Sequence, residues 1–540
     1  LPDWRGAAET AAATAGLFVL ALVLRSGDWD AMVNPDLYHL WSVRIARFMD
    51  AVGSGNAETT FQSHHPGVTL MWIVGAVWKY AGVLHTGLSP YKVELSVWPI
   101  AICGSIMAAA TYPLLLPLVG RHHRGVAFLS GVFIATEPLL VAHSRNAHLD
   151  ILAVTFAWFA CISALTALRK DGVGWAIASG SFLGLALASK ISTAGFALGI
   201  ALLFLYDAAR LRHGALRRVA LLAVIAATAF CTLLLVWPAL LWAPFDTIER
   251  LLDGLSHEVG KAIPFMLLGK SGVLVVPAWV YGLFLVFLVT PEFWMLAALS
   301  PLIPKQMGLR QFAFRLVLVT LPLLLLVGSG NNVGVRNILL ILPWLGTLAA
   351  LGVVALRERL RPFAPQGVAW LFLGITLALA GGRVARIAAL HPLPITYCAT
   401  ITGVDCARVF HIGWGEGMRE AAGFVDTYAK ANLGPGIAPR VFGSGYASIV
   451  RVWTRAERVS RIEAAHLLID YLPDWQRKGR RAKEIARYVE AHRVLPLHEV
   501  ILAGRVYVRI YPGPAMRWTS EPIRERPAPA RPSEDSAFED

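Results

Sequence analysis

"SRNAHLD", residues 144–150, places an arginine, an asparagine, a histidine and an aspartate between two long apolar runs. "GVAFLSGVFIATEPLLVA" (125–142) comes before it and "ILAVTFAWFACISAL" (151–165) follows. Two readings are open. The stretch is either a short loop dipping into water between membrane spans or a functional centre, because ionisable groups at membrane depth are costly.

The rest of the chain supplies the frame. Apolar residues make up 56% of the 540, mean hydropathy is +0.57, and near-continuous apolar stretches of about 17–25 residues recur. This is the pattern of a polytopic α-helical membrane protein. Spans are expected near 8–25, 97–119, 125–142, 149–168, 173–189, 191–206, 217–242, 274–297, 311–328, 337–356 and 367–388. The expected total is about 11–13 transmembrane helices. The first run lacks a clear small-residue cleavage site and reads as a span. A formal charge of +14 would suggest nucleic acid in a soluble chain. Here it is better explained by arginine in the loops, so no nucleic-acid partner is expected.

The connections "RHHR" (121–124), "RKDG" (169–172), "RLRHGALRR" (210–218), "KQMGLRQFAFR" (305–315) and "RERLRP" (357–362) carry fourteen Lys and Arg. The intervening short loops carry one each: Arg145, Lys190 and Arg336. The positive-inside rule assigns the arginine-rich set to the cytoplasm. "SRNAHLD", the long first loop (26–96) and everything after residue 388 then face outward from the inner (plasma) membrane. That parity requires "HPGVTLMWIVGAVWKYAG" (65–82) not to cross, so it is expected as an outer-surface or re-entrant helix. Just before it, "PDLYHLWSVRIARFMD" (35–50) spaces Leu37, Leu40, Trp41, Ile45 and Phe48 on one helical face, as an interfacial amphipathic helix does.

After residue 390 the composition turns polar. "EGMREAAGFVDTYAK" and "KEIARYVEAH" read as helices, "AAHLLIDYL" and "RVYVRIY" as strands. A transmembrane region (1–390) is thus followed by a small C-terminal α/β extracytoplasmic domain (391–512). The proline- and charge-rich 513–540 reads as a disordered tail. Cys103, Cys161 and Cys231 sit in apolar runs. Cys398 and Cys406 lie on the outer side, where disulfides persist, and are expected to bridge.

On this threading the unusual polar residues converge on one face. The first loop brings Asp36, His64 and His65, and "SRNAHLD" brings Arg145 and Asp150. "ASKIST" brings Lys190, "LSHEVGK" brings His257 and Glu258, and "GNNVGVRNILLILP" brings Arg336 with Asn331 and Asn332. Each has a plainer reading. Asp36 could cap a helix, Asp150 could pair locally with Arg145, and Lys190 could snorkel to the interface. The two histidines could be loop residues and Arg336 an outer anchor. Taken together, two carboxylates and isolated cations suit displacement of a phosphate. A carboxylate takes a proton from an acceptor while Lys and Arg stabilise the departing anion. No spacing matches a metal-ligand motif, and a requirement for a divalent cation stays open.

In this order the pieces resemble the GT-C superfamily of membrane glycosyltransferases, in its protein O-mannosyltransferase-like and aminoarabinose transferase-like branch. The carrying stretches are Asp36 with "HHPGVTLMW", "SRNAHLDILAVTFAWF", "GLALASKISTAGF", "RNILLILPW" and "HIGWGEGMREAAGFVD". The resemblance implies a GT-C fold and a donor carrying one sugar on a polyprenyl or dolichyl phosphate. It implies inverting transfer to a hydroxyl of a protein, glycolipid or cell-wall glycan at the outer face. It makes Asp36 the proposed general base and Asp150 the second acidic position, with Lys190 and Arg336 facing the lipid phosphate. The chain departs from it in having Asp36–Leu37 where many relatives pair Asp with Glu. It also lacks the β-trefoil insertion of eukaryotic protein mannosyltransferases. The rival readings are a lipid-linked sugar transporter or flippase, and an oligosaccharide ligase or polymerase using a diphosphate-linked donor. A permeation path would call for polar residues at mid-span depth, and these runs hold few charges away from their ends.

Overall fold

The structure, a computed structural model, describes residues 4–518 apart from 211–213, 261–264, 268–269, 273–286, 288–289, 305–307, 328–334, 398–412, 474–478 and the single positions 364, 435 and 445. The body is helical. In chain order come α1 (Trp4–Arg25), α2 (Ser42–Gly53), α3 (Val68–Tyr80), α4 (Pro90–Val119), α5 (Arg124–Ala135) and α6 (Pro138–Ser144). Next are α7 (Asp150–Lys170), α8 (Val173–Ser189), α9 (Ala194–Arg210), α10 (Ala215–Val236), α11 (Pro238–Trp242) and α12 (Pro244–Gly260). Further helices run Pro291–Ala297, Leu309–Val327, Leu342–Leu360 and Pro365–Ala389.

Among the described residues, six segments are long and apolar enough to cross a membrane: Gly6–Arg25, Pro90–Val119, Asp150–Lys170, Ile191–Arg210, Ala215–Val236 and Leu339–Leu360. A seventh forms if α5 and α6, bent by 56° where Pro138 interrupts the chain, count as one span. The expected 11–13 is therefore not reached among the described residues. One expected span, 274–297, lies largely outside them. The run at 173–189 forms a helix of 17 residues, about 26 Å long and shorter than a core of about 30 Å. The runs at 311–328 and 367–388 form helices that are not among the six.

Packing centres on α7, which is buried along nearly its whole length, as a helix apolar on all sides requires. Trp158 on α7 donates to Thr111 Oγ1 at 2.9 Å. Trp344 donates to Cys161 Sγ at 3.4 Å and stacks on Phe196 with ring centroids 4.4 Å apart. On α8, Gly180 and Gly184 allow α10 to approach, because a Cβ at either would collide with Thr228 or the Ala229 carbonyl. Ser179 on α8 donates to Ala160 O on α7 at 2.9 Å, and the two helices pack side by side, which brings the end of α7 that carries Asp150 near the end of α8 that leads to Lys190.

The amphipathic segment buries Leu37, Trp41, Ile45 and Phe48 as its spacing predicts, with Leu40 partly buried. At 13 residues, about 20 Å, α3 is too short to cross the core, as the parity of the basic loops requires. The two ends of α7 lie about 30 Å apart. At the end away from Asp150, Arg218 pairs with Asp171 at 3.0 Å and Arg315 with Asp207 at 2.6 Å.

The C-terminal region forms a five-stranded mixed sheet in the order β4-β3-β5-β7-β6, after a small β1 (Phe265–Leu267)–β2 (Lys270–Gly272) pair in the body. The strands are β3 (Arg440–Gly443), β4 (Glu457–Arg458), β5 (Leu467–Tyr471), β6 (His498–Leu502) and β7 (Arg505–Pro512). The sequence reading anticipated β5, β7 and the helices Met418–Asn432 and Arg480–His492, but not β3, β4 or β6. Alternation along the strands serves two cores. Phe442 and Leu468 meet Ile485 of the second helix, while Val441, Leu467 and Ile469 join a core continuous with the membrane body. Cys398 and Cys406, and residues 519–540 of the expected tail, lie outside the described residues.

Candidate active site

Asp36 stands at the start of the turn Leu37–Trp41 that runs into α2. It does not cap that turn. Asn34 Oδ1 accepts from Leu37 N at 2.7 Å, and Asn34 Nδ2 donates to Ala147 O at 3.3 Å. One asparagine thus closes the helix start and ties it to "SRNAHLD". The Asp36 carboxylate turns to other partners.

Those partners form an ordered chain of charge. Arg336 Nη1 donates to Asp36 Oδ2 at 2.6 Å. His148 stands between the two carboxylates, with Nε2 3.2 Å from Asp36 Oδ2 and Nδ1 2.8 Å from Asp150 Oδ2. Lys190 Nζ donates to Asp150 Oδ1 at 2.7 Å. Burial alone would lower the His148 pKa, but the charges of Asp150 and Asp36 and its contacts to both more than offset it and raise it. Burial would likewise raise that of Asp36, yet His148 and Arg336 hold it well below the usual carboxylate range. With the imidazole protonated, the order Arg336, Asp36, His148, Asp150, Lys190 alternates in sign from end to end.

His65 borders this chain as a neutral imidazole. Burial first, then the positive field of His64, Lys190, Arg336 and His148, pushes its pKa down to about 3. The "HHPG" turn is locked beside Lys190. Gly67 N donates to Ser189 O at 3.1 Å, and the Thr69 and Ser189 hydroxyls meet at 2.6 Å. Gly67 has a left-handed φ of +57°, and a Cβ there would strike the Trp41 ring. His64 packs on Gly254 and lies 4.4 Å from the His65 ring, centroid to centroid.

Other anticipated residues stand apart. Arg145 does not pair with Asp150. Its guanidinium donates to Ser26 O at 2.6 Å, Gly27 O at 2.5 Å and Pro392 O at 3.3 Å, clasping the backbone after α1 to that near Pro392. His257 is exposed, with Nδ1 2.8 Å from Asp253 O on its own helix. The Glu258 side chain, Asn331 and Asn332 lie outside the described residues. Two residues that the sequence reading left off the site are central to it. His148 was signalled by the His-x-Asp spacing inside "SRNAHLD". Trp414, from "GWGEG", lies 5.1 Å from the His148 ring and 5.3 Å from the Arg336 cation. Among the described residues, no group of three or more His, Cys, Asp or Glu is arranged to hold a metal ion.

Residues 92–242 match the family described as dolichyl-phosphate-mannose-protein mannosyltransferase, and the match spans His148, Asp150 and Lys190. Over that stretch the chain is similar to this glycosyltransferase family. The fold agrees with the crystal structure of apo ArnT from Cupriavidus metallidurans, at 13% identity and a TM-score of 0.51 over 95% of this chain and 99% of that one. ArnT bound to undecaprenyl phosphate aligns at 12% identity over 94% and 98%, with a TM-score of 0.44. The oligosaccharyltransferase AglB from Archaeoglobus fulgidus, with an inhibitory peptide and dolichol-phosphate, aligns at 11% over 88% and 70%, with a TM-score of 0.49. No curated protein sequence matches. The site keeps its two carboxylates unequal: the Asp36 side chain is 25% exposed and that of Asp150 only 3%. Asp36 is the one an incoming group can reach.

Proposed function

We propose that this glycosyltransferase moves one sugar from a polyprenyl-phosphate donor to a hydroxyl acceptor, with inversion at the anomeric carbon. The family match supports the donor class. The observation that carries the chemistry is the five-residue charge chain, which ends in a cation on each side and exposes one carboxylate. In the reaction the acceptor oxygen forms a bond to the anomeric carbon as its proton passes to Asp36. The bond from that carbon to the phosphate oxygen breaks, and its electron pair leaves with the polyprenyl phosphate. Lys190 and Arg336 meet the negative charge that develops, a role for which a guanidinium fork suits a phosphate. His148 holds Asp36 and Asp150 in register, and Asp150 anchors Lys190.

The charge chain lies at the opposite end of α7 from the arginine-rich loops. By the positive-inside rule that end is the outer face, with the C-terminal domain outside. Protein, glycolipid and cell-wall glycan acceptors all present the hydroxyl that this chemistry needs. The test is incubation of the purified protein in membranes with radiolabelled polyprenyl-phosphate sugars. Release of free polyprenyl phosphate is the expected result. Folded protein that turns over none of the panel would refute the reading, and turnover confined to diphosphate-linked donors would replace it with a ligase.

A further inference from the structure

"GWGEG", residues 413–417, belongs to the C-terminal domain in sequence but ends inside the charge chain in space. Its three glycines, Gly413, Gly415 and Gly417, have φ of +96°, +104° and +81°, a run that side-chain-bearing residues rarely adopt. A Cβ on Gly413 would strike Pro473, and one on Gly415 would meet Val33 O at 2.5 Å. Between them Glu416 is buried. Its carboxylate accepts from Trp414 N at 2.6 Å and from the Tyr471 hydroxyl, which in turn accepts from Gly415 N at 3.0 Å. Tyr471 closes strand β5, so the sheet itself holds the loop rigid. The product of this construction is the placement of one ring. Trp414 has the Arg336 guanidinium at 5.3 Å, the His148 ring edge-on at 5.1 Å and the His143 ring at 5.6 Å. The same loop touches the chain next to Asp36, through Gly415 against Val33.

We propose that Trp414 is a positioning residue of the transferase centre, so that the soluble domain completes the active site rather than merely adjoining it. The ring holds Arg336 by a cation–π contact and walls His148, keeping both against Asp36. Neither acts on Asp36 with the same geometry unless the domain is docked. The docking is itself specific: Arg419, just beyond the loop, pairs with Asp30 at 3.2 Å, and Met32 and Ala31 pack in one cluster with Trp414. This inference rests on the donor assignment above for the role of Arg336, but not for the geometry.

The experiment uses the full chain in lipid nanodiscs and reads three quantities: polyprenyl-phosphate release, affinity for polyprenyl phosphate, and the thermal midpoint. Trp414→Ala should lower kcat/KM and phosphate affinity about tenfold, the range of a desolvated cation–π contact. Trp414→Phe should recover most of both. Combined with Arg336→Lys, Trp414→Ala should add less than its single effect, because both act on one contact. A purely structural tryptophan would lower the midpoint while leaving the two losses independent, and that result overturns the proposal, as does wild-type turnover in Trp414→Ala. If the alanine variant fails to fold, Tyr471→Phe removes only the hydroxyl that holds Glu416. It should reproduce a several-fold loss of affinity, and an unchanged affinity would again refute the role. A wild-type protein that releases no polyprenyl phosphate from any donor condemns the functional reading instead, while the pattern of phosphate affinities still decides the role of Trp414.

Discussion

Asp36→Asn removes one charge from the middle of a five-member chain and keeps the shape of the side chain. Asn34, not Asp36, caps the helix start, so the local fold has no call on the lost charge. Two cations bond the same oxygen, Arg336 at 2.6 Å and His148 at 3.2 Å, which places them within about 6 Å of each other. Without the carboxylate, their repulsion at an effective dielectric of about 20 amounts to about 3 kcal/mol. That repulsion, with one of its two carboxylate partners gone, lowers the His148 pKa from its raised value. The variant therefore loses the base and weakens the hold on the imidazolium together. The Arg336–Asp36 pair is a quarter to a third exposed, so the stability cost lies between that of surface and buried pairs, about 1–3 kcal/mol. The protein should fold and bind donor. Transfer should slow by about 10²–10⁴-fold, the usual worth of a positioned proton acceptor. Single-turnover release of polyprenyl phosphate measures this directly, beside donor affinity for the same preparation. Turnover within tenfold of wild type would show that Asp36 is not the base and would move the assignment to Asp150 or Glu258.

Further outcomes follow from the same geometry. His148 has a raised pKa, so its stabilising contribution is complete below about 6.5 and is lost as pH rises through the raised value, whereas that of Asp36 is complete above about 4 and is lost only on acidification toward its depressed value. Turnover should therefore hold between these limits and fall on the alkaline side, and His148→Gln should be slow and lack that alkaline limb; an unchanged pH profile counts against the relay. Arg336→Lys keeps the charge but loses the fork, and should weaken donor binding more than charge retention suggests; unchanged affinity in both this variant and Lys190→Gln would remove the pair from the phosphate site. Arg145→Gln should lower the thermal midpoint, since two backbone segments lose their clasp, while turnover per folded molecule stays near wild type. Single cysteines replacing His213 or Gly308 should resist labelling from outside intact cells, and outside labelling of either would invert the topology.

Membrane class, the run of helices and the likeness to a glycosyltransferase family were legible in the sequence, because each rests on local or ordered signals. A helix apolar on every side such as α7 belongs in a core whatever its neighbours are. Arginine concentrated in alternate loops reports threading without any contact being known. Four of the five charge-chain residues, Asp36, Asp150, Lys190 and Arg336, were also visible, as charged groups at the ends of apolar runs. What the sequence could not supply was the partner of each charge. Asp150 has Arg145 five residues away, yet it pairs with Lys190, forty residues on, because α7 and α8 pack side by side and bring their ends together. Arg145 has no carboxylate partner in the chain of charge because three backbone carbonyls reach it first. Arg336 and Asp36 are 300 positions apart and meet only when the bundle closes. Trp414 arrives from the C-terminal sheet region on a loop that a buried glutamate and three left-handed glycines hold in place. Identity and periodicity are properties of a segment, so the sequence by itself determined them. Pairing is a property of distance in the folded chain, and only the tertiary structure decided it.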